Sequence, residues 1–376
     1  MSKTRGLFGI IFTLLIFSLF EICYAQNFQV EFLLLGNDNN VTYNLEVVFP
    51  ESLYEFYANE NHRVGIVSEF SNFVTPYIFE SVADKLWEIY DNDEEYVNGV
   101  LMMVHQIEYE ETSPVKYPVE TIIDGKGDCD LFSLIAASLA KAGGLDVVLL
   151  YYEEQAHMNI GVYLSGTPQD ARDDTCYVTY GDKQYYMAEC TGENWMEGWR
   201  VGECPPDLKN VSVEVISLEG IEQVAPGQAS ASFSSLESSV LSLELTPEFS
   251  LQNTNLNVRG QLSPAIENQN VTIYTSVNNS PWIEMDTIIT DLNGHFNYLW
   301  ENEFSGSIAV RASWSGNNQF AGAVSPNKTA IVIPSVVIQS VLLFSIVGFA
   351  GVVLLIIMKR TKNVENQPDY WQPIVD

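Results

Sequence analysis

Gly125-Lys126-Gly127-Asp128-Cys129-Asp130-Leu131-Phe132-Ser133 is where the chain changes character. Two glycines allow a tight approach, a cysteine follows, and the apolar residues then fall at helical spacing: Leu131, Leu134, Ile135, Leu139, Ala142. The spacing predicts a helix with Cys129 in its first turn, running to about Ala142 and ended by Gly143-Gly144. The unpaired N–H groups and dipole of a helix N-terminus favour thiolate over thiol, so a cysteine there is expected to be an activated nucleophile. A buried apolar filler is the other reading of Cys129, and its partners farther along the chain decide between the two.

Outward from this stretch, the two ends carry their own signals. Lys3 and Arg5 precede the apolar run from Leu7 to Phe20, and Cys23-Tyr24-Ala25 supplies small residues at a cleavage position, so residues 1–25 are expected to be a signal peptide. Residues 336–358 hold no formally charged side chain and are followed by Lys359, Arg360 and Lys362. Such a run is expected to form a transmembrane helix, with 359–376 as a cytoplasmic tail. The expected localisation is therefore the cell membrane, single-pass, with the bulk of the chain extracytoplasmic.

The chain has 376 residues, of which 17 are Lys or Arg and 49 Asp or Glu, for a net charge of -32. That charge repels nucleic acid and anionic lipid, so no nucleic-acid partner is expected. Sequons at Asn40, Asn210, Asn270, Asn278 and Asn327 fit an exported glycoprotein. After loss of Cys23, the cysteines are Cys129, Cys176, Cys190 and Cys204; proximity suggests a Cys190–Cys204 disulfide, and no CxxC pair points to zinc.

Phe28–Leu35 and Val41–Val48 are expected to be paired strands in an N-terminal β-rich region, 26–79, packed on the core. Val82 to Gln106 follows a helical period broken by the acidic run at 91–95, whose residues can cap the second helix, and Tyr109–Thr121 reads as a loop. After the Cys129 helix come strands at Asp146–Tyr152, His157–Tyr163 and Gln184–Cys190, which makes 80–220 an α+β domain. Residues 221–242 are rich in Ala, Ser, Gly and Gln and read as a linker. Residues 243–334 alternate short strands with polar turns, the pattern of an all-β immunoglobulin-like sandwich.

His157 opens its strand, with Asn159 and Gly161 on the same face. From there its imidazole can reach the start of the preceding helix, and Glu189, near the end of the next strand, can hold the other ring nitrogen. Cys129, His157 and Glu189 are thus the candidate nucleophile, base and acid. Each also has an ordinary reading: a satisfied histidine, a solvated glutamate. Asp128 and Asp130 read as helix-capping or solvating residues.

Tyr117-Pro118-Val119-Glu120-Thr121, Gly125-Lys126-Gly127-Asp128-Cys129, the alanine-rich run from Leu134 to Gly143, and His157 before a strand resemble the transglutaminase-like cysteine peptidase superfamily, in its archaeal and prokaryotic envelope form. The resemblance covers roughly residues 80–200. It implies a papain-like core in which Cys129, His157 and an acid act in that order. The family's acid is commonly aspartate, where this chain offers Glu189. Gly260-Gln261-Leu262-Ser263-Pro264 and Arg311-Ala312-Ser313-Trp314 resemble phrases of bacterial and archaeal immunoglobulin-like repeats.

The expected function is that of a membrane-anchored extracytoplasmic thiol acyl-transfer enzyme, peptidase or transglutaminase-like, acting without metal or organic cofactor on peptide or glutamine amides of a peptide or protein substrate at the cell envelope. The alternative is a non-catalytic cell-surface binding or structural protein that keeps the fold.

Overall fold

The computed structural model describes residues 27–36, 41–192, 194–220, 224–234, 236–337 and 349–358. Its fold is mixed α+β. The expected signal peptide (1–25), the tail (359–376) and the Asn40 sequon lie outside the described residues.

Strands β1 (Asn27–Leu35) and β2 (Thr42–Pro50) pair antiparallel, with Phe28 opposite Phe49 and Phe32 opposite Leu45. Helix α1 (Glu51–Ala58) follows directly, then α2 (Glu80–Ile89) and α3 (Asp93–Val104). The acidic break supplies the α3 cap: Asn92 Oδ1 accepts from Glu95 N at 3.1 Å, and Asp93, Glu94 and Glu95 sit at the positive end of the helix dipole.

The short strand β3 (Glu108–Tyr109) leads to helix α4 (Pro118–Asp124), where the sequence reads as loop. Pro118 is a helix starter here because its missing N–H would have had no intrahelical partner, and the Glu120 carboxylate accepts from Tyr117 N at 3.0 Å. Gly125 ends α4 at φ 69°, a left-handed conformation that glycine adopts without a Cβ penalty.

Strand β4 (Lys126–Gly127) pairs parallel with β3. Gly127 permits a close approach, since a Cβ there would lie 2.9 Å from Thr121 Cγ2. Helix α5 (Cys129–Ala142) then covers the span its spacing predicts, closed by Gly143 N donating to Leu139 O at 3.0 Å. Every residue from Leu131 to Ala140 is buried, so α5 is the central helix of the core and its small Ala and Ser residues allow close neighbours on all sides.

Helix α5 packs on strands β5 (Asp146–Tyr152) and β6 (His157–Tyr163). With β7 (Tyr177–Tyr180), β8 (Lys183–Ala188) and β9 (Glu214–Ser217) they form an antiparallel sheet in the order β7-β8-β6-β5-β9. Strand alternation divides this sheet's side chains between two cores. Val147, Leu149, Tyr186 and Ala188 join the large core around α5. Val148, Leu150, Tyr152, Tyr185 and Met187 form a smaller cluster on the other face with Cys204 and Leu208.

The segment expected as a linker contributes β10 (Ser230–Ser232), which pairs with β2 as a third strand, and it runs into β11 (Val240–Thr246). Beyond it come β12 (Phe249–Leu251), β13 (Thr254–Ser263), β14 (Asn270–Val277), β15 (Ile283–Ile289), β16 (His295–Asn302), β17 (Gly306–Gly316), β18 (Ala321–Val324) and β19 (Lys328–Ile333). One sheet runs β11-β13-β16 and the other β12-β19-β17-β14-β15, with β18 on β17. Leu243, Val258 and Trp300 of the first share one core with Ile273, Val310 and Val332 of the second, which makes this unit a two-sheet sandwich. It meets the helical part through β10, through a hydrogen bond between the hydroxyls of Tyr77 and Tyr274, and through Gly322 N donating to Ser230 Oγ at 2.6 Å.

The expected transmembrane helix at 336–358 is corrected. Among the described residues no helix is long and apolar enough to cross a membrane. Residues 349–358 are helical but rise only about 15 Å, half the thickness of a hydrocarbon core, and 338–348 lie outside the described residues. The same finding overturns the expected fold class in its third part, single-pass membrane insertion, the cell-membrane localisation with a cytoplasmic C-terminus, and the function as stated for a membrane-anchored extracytoplasmic enzyme.

Candidate active site

Cys129, His157 and Glu189 meet where the first turn of α5 faces the start of β6 and the end of β8. Cys129 is the first residue of α5 and half-buried, its Sγ 3.9 Å from Ala156 O in the turn that precedes His157. Phe132 N makes the first intrahelical bond, to Asp128 O at 2.9 Å, so the Cys129 N–H has no intrahelical acceptor. Ser133 Oγ sits 2.7 Å from Cys129 O and 3.0 Å from Met158 O, and its proton can serve either carbonyl. That hydroxyl ties the helix start to the strand residue after His157.

The imidazole Nε2 lies 3.0 and 3.2 Å from the two carboxylate oxygens of Glu189. This leaves Nδ1 unengaged by Glu189, and the Cys129 thiol stands beside the turn that leads into His157, its Sγ 3.9 Å from Ala156 O. Burial by itself would lower the His157 pKa. The neighbouring Cys129 and Glu189 outweigh it and raise the value from 6.5 to about 10.

Glu189 is fully buried and sits one residue past β8. Its carboxylate also accepts from Asn159 Nδ2 at 3.1 Å, Thr191 N at 2.9 Å and Thr191 Oγ1 at 2.5 Å. Burial pushes this carboxyl up, but His157, Thr191 and Asn159 together hold it below its ordinary value. Behind it, buried His105 Nε2 lies 3.1 Å from Glu189 O, and burial keeps that ring's pKa low. The arrangement is a carboxylate fixed by neutral donors, which orients an imidazole toward a thiol.

Asp128 and Asp130 do more than solvate the helix start. Asp128 Oδ2 accepts from Thr112 N at 2.8 Å and Thr112 Oγ1 at 3.2 Å. Burial, followed by the bond and charge of Asp128, pushes Asp130 well above the carboxylate range, while bonds from Asp130 and Thr112 hold Asp128 below it against the opposing effect of burial. The two carboxyls are driven in opposite directions, so their charges beside the thiol are unequal.

The structure joins His157 to Glu189 and sets Cys129 beside the turn that leads into His157. Sequence reasoning placed Asn159 on the His157 face but missed its bond to Glu189, and it missed Thr191, Ser133 and Tyr109. The two-residue offset from Glu189 to Thr191 was the available signal. Tyr109 is held by β3 opposite Gly127, its ring edge-on to Phe132 at 6.1 Å. Burial and then the charges of Cys129 and Asp128 push its phenol up. Among the described residues no group of three or more His, Cys, Asp or Glu could hold a metal ion.

No protein-family profile and no curated protein matches the chain. Among solved structures, a candidate cysteine protease from Cytophaga hutchinsonii is similar at 12% identity and a TM-score of 0.24, over 69% of this chain and 71% of that one. The sulfur carrier protein SoxY from Chlorobium limicola f thiosulfatophilum is similar at 14% and 0.19, over 26% and 86%. A tandem repeat of a large adhesion protein is similar at 11% and 0.22, over 49% and 42%. At these scores none of the three carries an argument about this chain's fold or chemistry.

Proposed function

We propose that the chain is a cysteine-dependent amidase or peptidase of the transglutaminase-like kind, with Cys129 as nucleophile, His157 as base and acid, and Glu189 as the group that orients the ring. The observation that carries this reading is the His157 imidazole, held through Nε2 by a buried carboxylate, beside a thiol that starts a helix and packs on the turn preceding His157.

In this reading the proton shared by the Cys129–His157 pair rests on the imidazole, and Cys129 Sγ attacks an amide carbonyl carbon. His157 then gives that proton to the leaving amine nitrogen, which departs and leaves a thioester. Water attacks the thioester with His157 as base, releasing a carboxylic acid and restoring the thiol. The Cys129 N–H, without an intrahelical acceptor, is a donor for the oxyanion.

The test is turnover of a mixed set of peptide amides with the intact mass of the protein followed in parallel. An acyl adduct on Cys129 is expected in the wild type, and the rate is expected to fall about 10²–10⁴-fold in His157→Ala. Cleavage that survives Cys129→Ala, or an adduct formed equally fast without His157, would overturn the reading.

A further inference from the structure

Two cysteines outside this site stand together on the other face of the sheet. Cys190 follows the parity of Tyr186 and Ala188 into the core around α5, where it is fully buried and its Sγ lies 3.4 Å from Ala188 O. Cys204 belongs instead to the small cluster with Val148, Leu150 and Met187, and Cys176 packs against that cluster. The sheet therefore stands between Cys190 and Cys204, and the pairing suggested by their proximity in sequence is closed off.

Cys176 and Cys204 are drawn together by backbone as well as by packing. Cys176 N donates to Gly202 O at 2.7 Å, Gly202 N to Met187 O at 2.6 Å, and Met187 N to Cys176 O at 3.1 Å. These bonds knit residue 176, the middle of β8 and the segment entering Cys204 into one unit. The two side chains share one small core, and burial, then the neighbouring Cys176, pushes the Cys204 thiol up. Tyr152 belongs to the same small core.

We propose that Cys176 and Cys204 form a disulfide, made by exchange with a low-molecular-weight disulfide, while Cys129 and Cys190 remain thiols. Half-buried Cys176 is the point of entry. Its thiolate attacks one sulfur of the reagent, forming a mixed disulfide and expelling one thiolate. Cys204 sulfur then attacks the Cys176 sulfur and expels the second. The protein loses two hydrogens, and the reagent leaves as two thiols carrying the two protons. The bond would close the segment 176–204, which carries β8 and Glu189, so it would restrain the chain that presents the carboxylate to His157. It does not depend on Cys129 being a nucleophile.

The experiment equilibrates the whole purified chain, as wild type and as Cys129→Ser, with oxidised glutathione, then alkylates, digests and maps peptides by mass. The expected result is a cross-linked peptide pair joining 176 to 204, with Cys190 alkylated only after denaturation. Oxidation should also raise the melting temperature by roughly 5 to 10 °C, a rise absent from Cys204→Ser. Should that variant fail to fold, the wild-type map alone decides. Separate glutathione adducts on Cys176 and Cys204, both recovered alkylated, or a link from either to Cys190 would each overturn the proposal.

Discussion

Replacing Glu189 by Gln keeps the shape of the side chain and removes its charge from a site with no access to water. Four donors converge on the carboxylate: His157 Nε2, Asn159 Nδ2, Thr191 N and Thr191 Oγ1. A glutamine offers one acceptor oxygen, and its NH2 must face a donor on the other side, so at least one buried N–H or O–H loses its partner. Breaking a buried, hydrogen-bonded charge pair from one side costs about 3–5 kcal/mol. The melting midpoint should fall by roughly 6 to 15 °C.

The pH profile gives the sharper test. The folded pKa of Glu189 is held below its ordinary 4.5, so its contribution is present above that value and is lost as pH falls through the lower folded pKa. The folded pKa of His157 stands at about 10 against 6.5, so its contribution is complete below 6.5 and is lost as pH rises through about 10. The stability gap between wild type and Glu189→Gln should therefore be widest between about pH 4.5 and 6.5 and narrow on both sides. Denaturant unfolding of both proteins at pH 3, 6 and 10.5 measures it. A gap below about 1 kcal/mol at pH 6, or one that does not change with pH, would refute the ion pair.

Two further perturbations probe what positions the site. Ser133→Ala removes the hydroxyl between Cys129 O and Met158 O; it should cost about 1–3 kcal/mol in unfolding free energy and slow amide turnover, while wild-type stability would show that the hydroxyl ties nothing down. Gly143→Ala would drive a Cβ into the Tyr96 ring at the end of α5, and a loss of about 1–3 kcal/mol is expected by denaturant unfolding, with no loss if the ring can swing away.

The central helix was legible because the apolar period and the closing glycine pair both act within the helix itself. The strand that opens with His157 and the strand that ends just before Glu189 were legible for a similar reason, since period-two alternation is a local property. What the sequence hid was set across distance. Pro118 read as a loop residue because its value as a first helical residue depends on the Glu120 carboxylate folding back on Tyr117 N. Ser230-Ala231-Ser232 read as linker because small polar residues look alike whether solvated or, as here, buried beside β2.

The donors around Glu189 come from a neighbouring strand and a following turn, which only the assembled sheet brings to one point. Proximity along the chain paired Cys190 with Cys204, but the sheet's two faces hold them apart. The apolar run at 336–358 was read from hydropathy alone, and the helix described within it is too short to span.

The three residues of β10 also bear on the order in which the molecule can be completed. Strand β2 has β1 on one side, and its other edge is satisfied by Ser230, Ala231 and Ser232, opposite Val48, Val47 and Glu46. A chain emerging from the ribosome makes the first ribbon, the helices and the whole of the site before that last strand exists. Throughout that interval β2 presents open N–H and C=O groups, a template for a foreign strand. Chain ends placed before residue 230 would keep that edge open for good, so a fragment cut to contain only Cys129, His157 and Glu189 would be prone to self-association even with every residue of the site in place.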